Sequence, residues 1–131
     1  MATTTAAQRR EQARTEYDAF IAACPTRKLL DRLSDKWVTL ILAALAGGAL
    51  RYGDLSRKIA GVSQKMLTQT LRSLERDGLV IRTVTPSVPV RVDYELTELG
   101  LSLQAVMRAV KHWAEANIEQ VEAARAAYDT A

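Results

Sequence analysis

The sequence predicts a mainly α-helical chain with one small β hairpin (α+β). Over most of the 131 residues apolar side chains recur at three- and four-residue steps, the period of an amphipathic helix. Between Leu79 and Leu96 the period falls to two, which is typical of strands with one buried face. Hydrophobic residues make up 48% of the chain. We therefore expect a real core.

Residues 1–23 are predicted to be an N-terminal extension, with a frayed start and then a helix that carries Tyr17 and Phe20 on one apolar stripe. The pair Cys24-Pro25 interrupts this helix. Because proline is tolerated in a first helical turn, a short helix from Pro25 to about residue 33 should follow. Its buried side is predicted to be Leu29, Leu30 and Leu33.

The next helix is predicted to begin at a Ser34 cap and to end at Gly47-Gly48. Its core face should consist of Trp37, Ile41, Ala44 and Leu45. Residues 49–51 are predicted to be briefly extended. A helix over residues 52–60 then turns Leu55 and Ile59 inward.

The stretch VSQKMLTQTLRSLERDG, residues 62–78, predicts a helix that organises the rest of the chain. Ser63 can accept a hydrogen bond from an unpaired N–H of the first turn, and Gly78 ends the helix as its C′ residue. Its buried face is predicted to be Leu67, Thr70, Leu71 and Leu74. The short turn at Gly61-Val62 joins it to the preceding helix as a helix-turn-helix.

The opposite face of this helix is polar and cationic, and its side chains are of the types that reach base edges and phosphates in a major groove. We interpret it as a DNA recognition helix. The alternative is an ordinary surface helix with a solvated basic face. The predicted DNA-binding residues on and around it are Ser63, Gln64, Lys65, Thr68, Gln69, Arg72, Arg76, Arg51, Arg57, Lys58, Arg82 and Arg91.

Arg82 and Arg91 fall in the predicted hairpin. Residues 79–85 form its first strand, and Val90, Val92, Tyr94 and Leu96 alternate with polar residues in its second. A basic two-stranded ribbon after a recognition helix is a wing, on which both arginines could clamp the DNA backbone or enter a minor groove. The alternative is a small edge sheet that closes the core.

Thr97 is predicted to cap a final helix, in which an apolar stripe continues for about six turns. A single small domain leaves little for so long a stripe to pack on, so we expect a homodimer. The alternative is packing within one subunit. The predicted interface residues are Tyr17, Phe20, Leu103, Val106, Val110, Trp113 and Val121. The domains would be 1–23, 24–115 and an overlapping dimerisation helix, 97–128.

Charge is distributed unevenly along the chain, whose net charge is +3. From Arg51 to Arg91 eight basic residues stand against three acidic ones, a net charge of +5, whereas the residues from Asp93 onward carry a net charge of −4. This pattern indicates a polyanion-binding centre with another face kept away from the polyanion.

Several functions are not indicated by the sequence. No apolar run is long enough for a membrane span, and the N-terminus lacks the features of a secretory signal, so we expect a cytoplasmic protein. One cysteine and one histidine are too few for a structural zinc site, and we predict no metal site and no cofactor. Neither a nucleophile elbow nor a phosphate loop is present, and His112 is expected on the surface. We predict no enzyme activity.

Several spaced motifs resemble those of HxlR-type winged helix-turn-helix regulators, which are relatives of the MarR regulators. They are Cys24-Pro25, SDKW at 34–37, RYGDL at 51–55, GVSQKMLTQTLRSLERDGLV at 61–80, VPVRVDYELTELG at 88–100 and Trp113. The resemblance covers roughly residues 24–113. It implies a homodimeric bacterial DNA-binding protein that acts as a repressor or an activator. Such regulators often control genes that respond to electrophile or oxidative stress. Of the two roles, we expect repression.

The resemblance also implies that Cys24 is a candidate redox sensor. At a helix N-terminus, with Arg27 and Lys28 nearby, a thiol pKa is lowered and the thiolate becomes more reactive. A lone cysteine has no resolving partner in its own chain, so oxidation would join subunits or attach a small molecule. A small residue that fills space at a helix start is the alternative.

The predicted partners are a palindromic double-stranded DNA operator, a second copy of the chain, and a small electrophile or other effector. Each subunit would place its recognition helix in a major groove, with half-sites one helical turn or a small multiple apart. The alternative function is a ligand-sensing or protein-interaction module without direct DNA binding, because fold alone does not decide function.

Overall fold

The computed structural model of the chain describes residues 3–33 and 35–131. These residues form two compact units, one that ends at Lys36 and one from Trp37 to Ala131. The predicted Ser34 cap lies outside the described residues. None of the helices in the described ranges is both long enough and apolar enough to cross a membrane.

The first unit contains helices α1 (Ala6–Ala23) and α2 (Pro25–Leu33). Thr5 and Gln8 start α1 with a capping box, in which each side chain accepts a hydrogen bond from the other's backbone N–H, at 3.1 and 2.8 Å. The predicted break at Cys24-Pro25 is confirmed. The predicted burial of Leu29 and Leu30 is wrong, because no residue of α2 is buried in the single chain. A short amphipathic helix buries its apolar side only against another surface.

The second unit combines helices with a three-stranded antiparallel sheet, so the predicted fold class is confirmed. Its elements are α3 (Lys36–Leu45, whose first residue ends the first unit), β1 (Leu50–Arg51), α4 (Tyr52–Lys58), α5 (Gln64–Arg76), β2 (Val80–Thr85), β3 (Arg91–Leu96) and α6 (Glu98–Asp129). The extended segment predicted at residues 49–51 adds itself to the hairpin as a third strand, and the strand order is β1-β3-β2.

The core of the second unit lies among α3, α4, α5 and the sheet. Its buried side chains are Val38, Ile41, Leu42, Leu45, Leu55, Ile59, Leu67, Leu71, Leu74, Leu79, Val80, Tyr94 and Leu96. The predicted core face of α3 is half wrong. Ile41 and Leu45 are buried, but Trp37 and Ala44 are only half-buried and Val38 and Leu42 take their places.

The predicted hairpin is confirmed, with β2 and β3 paired from Val80 opposite Leu96 to Thr85 opposite Arg91. Val90, predicted to lie in the second strand, instead falls in the connection between the strands and is exposed. β1 pairs with the other edge of β3, with Leu50 opposite Tyr94.

Thr97 caps the start of α6 and also connects it to the end of α5. The Thr97 hydroxyl accepts from the Gly100 N–H at 3.0 Å, as the predicted cap requires, and donates to the Gly78 carbonyl at 2.7 Å. The helix has 32 residues, about nine turns, so it extends beyond the six turns of the predicted apolar stripe. Only Gly100 and Gln104 of it are buried.

Candidate nucleic-acid interface

Helix α5 is fixed at both ends by the residues that the sequence predicts. The Ser63 hydroxyl accepts from the Met66 N–H at 3.0 Å. At the other end Gly78 has a positive φ of 76°, and its N–H donates to the Glu75 carbonyl at 3.1 Å. The Leu79 N–H donates to the Leu74 carbonyl at 3.0 Å, which completes a Schellman motif. The bounds of the helix therefore depend on local interactions.

The inward face of α5 is the predicted one. Leu67, Thr70, Leu71 and Leu74 are all buried. Burial of a hydroxyl is costly without a hydrogen-bond partner, and Thr70 donates to the Met66 carbonyl at 2.7 Å. The orientation of the helix about its own axis is thereby set by three leucines and one satisfied threonine.

The outward face of α5 carries Lys65, Gln69, Arg72 and Arg76, all of them exposed. Their spacing of four, three and four residues places them in a single stripe about 16 Å long. Thr68 lies at the flank of this stripe and is half-buried. The predicted recognition face is thus exposed to solvent and lies opposite the core.

Helix α4 and the turn before α5 complete the helix-turn-helix. Ile59 is buried in the turn, and Gly61 has a positive φ of 85°, which glycine adopts without strain. Arg57 and Lys58 are exposed, as predicted. Arg57 forms an ion pair with Asp54 on the same helix, so its charge is partly compensated.

A tyrosine that the sequence pattern does not indicate connects α4 to α5. The Tyr52 hydroxyl lies 3.2 Å from the Gln64 carbonyl oxygen, to which it donates, and 3.2 Å from the Thr68 hydroxyl oxygen. These partners are 12 and 16 residues away in the chain, so only the fold brings them together.

The hairpin places its two arginines on opposite faces. Arg82 is paired with Tyr94 and Arg91 is paired with Thr85, and paired residues of neighbouring strands share a face of the sheet. Arg82 and Thr85 are three positions apart on β2, so they lie on opposite faces, and so do the two arginines. Arg82 lines a cleft of about 270 Å³ together with Thr68, Arg72, Glu75 and Tyr94. On the other face, Arg91 bonds Asp93 at 2.9 Å. The two arginines therefore cannot act together on one side of the wing.

Most of the predicted DNA-binding cations form no ion pair within the described part of the chain. In that part no ion pair involves Arg51, Lys58, Lys65, Arg72, Arg76 or Arg82. Arg57 and Arg91 are the two that are already paired. Positive potential is therefore concentrated along α5 and the adjoining face of the hairpin.

In the first unit, Cys24 is half-buried between α1 and α2 and has a free thiol. The backbone N–H groups of Arg27 and Thr26 lower the pKa of this thiol below its ordinary value, with a smaller contribution from the Thr26 side chain. The Arg27 guanidinium itself bonds Asp31 at 3.3 Å. The start of α2, rather than the neighbouring cations, is therefore the main cause of the lowered pKa.

Most of the residues predicted at the dimer interface are exposed in the single chain. Tyr17 and Phe20 are exposed on α1 in the first unit. On α6, Leu103 is half-buried. The exposed α6 members of the set are Val106, Val110, Trp113 and Val121.

The second unit has the architecture of a winged helix-turn-helix, a class of DNA-binding proteins in which the second helix of the motif enters the major groove. A family model described as HxlR-like helix-turn-helix matches residues 32–122. The chain belongs to this family, so the resemblance read from its motifs is confirmed and its role is that of a DNA-binding transcriptional regulator.

Similar proteins include the uncharacterized HTH-type transcriptional regulator YtfH of Escherichia coli (strain K12), which is 44% identical over 110 residues, 84% of this chain and 87% of YtfH. Among solved structures, the redox regulator HypR in its reduced form is 35% identical with a TM-score of 0.73, covering 76% of this chain and 99% of HypR. Reduced YodB from B. subtilis is 38% identical with a TM-score of 0.66, covering 74% of this chain and 96% of YodB.

Proposed function

We propose that the protein binds a palindromic operator as a homodimer, each subunit placing α5 in a major groove. The observation that carries this proposal is the outward stripe Lys65, Gln69, Arg72 and Arg76, which is exposed and lies opposite the buried inward face of the helix. A helix with this diameter enters the major groove, where base edges offer donors and acceptors.

The proposed contacts divide into base reading and positioning. Lys65, Thr68, Gln69 and Arg72 contact bases or the phosphates beside them. At the helix N-terminus, Ser63 and Gln64 hold a phosphate, because the first N–H groups of a helix have no partner within it and attract anions. Phosphate attraction without base preference comes from Arg51, Arg57, Lys58, Arg76, Arg82 and Arg91. Arg57 and Arg91 must first leave their carboxylates, so we expect their contributions to be the smallest.

The homodimer is proposed to form through α6, with α1 contributing Tyr17 and Phe20. Support comes from the exposed apolar side chains of α6: Trp113 is 61% exposed and Val110 is 54% exposed in the single chain. Apolar surface of this kind, continuous along a helix, marks a site of association. A two-fold axis would then repeat α5 at a spacing of one helical turn or a small multiple.

We further propose that Cys24 couples DNA binding to an electrophile or oxidant. HypR is known in oxidised and reduced forms and YodB in reduced and diamide-treated forms, and both resemble this chain. The lowered pKa of Cys24 favours the thiolate, the reactive form. The expected output is repression, in the cytoplasm of a bacterial cell, and no catalytic role is proposed.

DNA binding is tested by gel shift with random duplex DNA at low and high salt, followed by selection of bound sequences from a random pool. We expect binding that weakens steeply with salt and selection of an inverted repeat. An Arg125→Ala variant, which removes a cation of α6 that is not among the predicted DNA-binding or dimer-interface residues, serves as a control and should behave as the wild type. Little affinity at low salt would overturn the proposal and favour a protein-interaction module.

A further inference from the structure

Two hydroxyl groups and one carbonyl form a chain at the edge of the recognition face. The Tyr52 hydroxyl lies 3.2 Å from both the Gln64 carbonyl oxygen and the Thr68 Oγ1. A carbonyl only accepts, whereas each hydroxyl has one proton to donate and can also accept. The placement of the two protons therefore decides what Thr68 presents to the DNA.

One arrangement of the protons makes more hydrogen bonds than the other. If Tyr52 donates to the Gln64 carbonyl, Thr68 can donate to the Tyr52 oxygen, and two bonds form. If Tyr52 donates to Thr68 instead, the Gln64 carbonyl receives nothing from it and only one bond forms. The first arrangement is favoured because each added hydrogen bond is stabilising and the site is partly shielded from water.

We infer that the Thr68 hydroxyl donates its proton to the Tyr52 oxygen, so that Thr68 faces the major groove as a hydrogen-bond acceptor only. In that groove the donors are the exocyclic amino groups of adenine and cytosine, whereas guanine and thymine present carbonyl acceptors. Thr68 therefore selects an amino group at one position of each half-site, and Tyr52 is a positioning residue that sets this preference. The inference rests on the proposed insertion of α5 into the major groove.

The location of Thr68 suits this role. It lies at the flank of the outward stripe and lines the same cleft as Arg72 and Arg82. Its hydroxyl oxygen lies within hydrogen-bond distance of the Tyr52 hydroxyl and its side chain is half-buried, so the hydroxyl is held in one direction. Gln69 and Arg72, by contrast, are exposed side chains.

The first test selects bound sequences from random duplex DNA with the wild type, Thr68→Val, Tyr52→Phe and Tyr128→Phe. Valine keeps the shape of threonine without its hydroxyl. We expect one position of each half-site to lose its preference in both Thr68→Val and Tyr52→Phe, while the other positions keep theirs. Tyr128 is 83% exposed at the far end of α6, so its variant should select the wild-type site. A wild-type protein that selects no sequence would contradict the proposed function itself.

The second test deletes single groups from the base pair at that position and compares the wild type with Thr68→Val. Replacing adenine with purine, or cytosine with 2-pyrimidinone, removes the amino group and should weaken wild-type binding about 3- to 10-fold. The same replacement should change Thr68→Val binding less than about 2-fold. Removing the carbonyl oxygen of the opposite base should leave wild-type affinity unchanged.

Tyr52→Phe gives the readout that a purely structural role would not produce. Without the tyrosine hydroxyl, the Thr68 hydroxyl can donate its proton to the carbonyl oxygen of the opposite base. Deletion of that base oxygen should therefore weaken the binding of Tyr52→Phe, as deletion of the amino group does. A wild-type protein that is sensitive to the carbonyl deletion and not to the amino deletion would overturn the inference. So would a Thr68→Val variant whose selected site is the same as that of the wild type at every position.

Discussion

Arg72 and Lys58 are both exposed cations of the helix-turn-helix, but they should contact different parts of the DNA. Arg72 lies on the outward stripe of α5 and Lys58 at the end of α4. Arg72→Ala should cost about 1–3 kcal/mol and relax base preference, if the guanidinium is bidentate to a guanine. The measurement is affinity for the selected operator and for single-base variants of it. Equal weakening on every sequence would make Arg72 a phosphate contact.

Lys58→Ala should weaken binding to all sequences alike. Each phosphate contact releases bound counterions, so its loss should flatten the dependence of log affinity on log salt by about one unit. The slope is measured by titration at four or more salt concentrations, with Arg125→Ala as the control. A slope that stays the same in Lys58→Ala would remove this lysine from the interface.

The chemistry of Cys24 is also decided by its immediate neighbours. Because the N–H groups of Arg27 and Thr26 favour the thiolate, the folded-state pKa of Cys24 is depressed. Its alkylation rate should therefore rise with pH and reach half its plateau at a lower pH than that of N-acetylcysteine. The midpoint, not the absolute rate, is the measure, because a thiolate of lower pKa is also a weaker nucleophile. A midpoint at or above the reference would exclude a thiol activated by the start of α2.

At the scale of elements, the junction between α5, β2 and α6 depends on one glycine. A Cβ added at Gly100 would lie 2.1 Å from the Leu79 carbonyl oxygen, far inside van der Waals contact with backbone. Gly100→Ala should therefore destabilise the fold by at least about 2 kcal/mol. Thermal unfolding followed by circular dichroism measures this. Gly47→Ala, whose Cβ would meet nothing within 4 Å, is the matched control. Equal melting temperatures for the two variants would contradict the proposed close contact.

The elements that the sequence predicts well are those with local signals. Helix α5 has a capping serine, a clean three- and four-residue period and a terminal glycine, and its bounds and inward face are as expected. In α3, KWVTLILAAL, apolar residues occupy nearly every position, so periodicity distinguishes the core face poorly. For this reason the predicted core face does not include Val38 and Leu42. The hairpin was predictable from its alternation, but the pairing of β1 with β3 depends on a non-local contact.

The candidate site, like the fold, could be predicted from the sequence where its signals are local. The exposed cations of α5 could be predicted because one face of an amphipathic helix implies the other. The opposite orientations of Arg82 and Arg91 depend on the register of β2 and β3, which the sequence does not determine when the connecting loop is long. Tyr52 could not be found, since its partners lie one helix later in the chain. Contacts between side chains of different elements can be identified only from the folded structure.

At the scale of the whole molecule, charge and apolar surface are separated along the chain. The stretch from Arg51 to Arg91 has a net charge of +5, and the residues from Asp93 onward have a net charge of −4. Most of these acidic residues lie on α6, together with the exposed Val110 and Trp113. Negative charge is repelled by phosphate, so α6 is suited to a protein partner and not to DNA. This division agrees with a dimer that contacts its operator through α5.

Val110→Glu tests that dimer. A carboxylate at a position covered by the partner loses its hydration without a counter-charge, so the variant should dissociate into monomers. Sedimentation equilibrium gives the mass, and titration of an operator with two half-sites should show affinity at least about 100-fold lower, because the second half-site no longer binds intramolecularly. Val88→Glu makes the same chemical change at a fully exposed valine of the hairpin connection and should remain dimeric. Since Val110→Glu leaves α5 intact, binding to a single half-site should match that of one wild-type subunit. A Val110→Glu protein that keeps the wild-type mass and operator affinity would show that α6 does not form the interface at this residue.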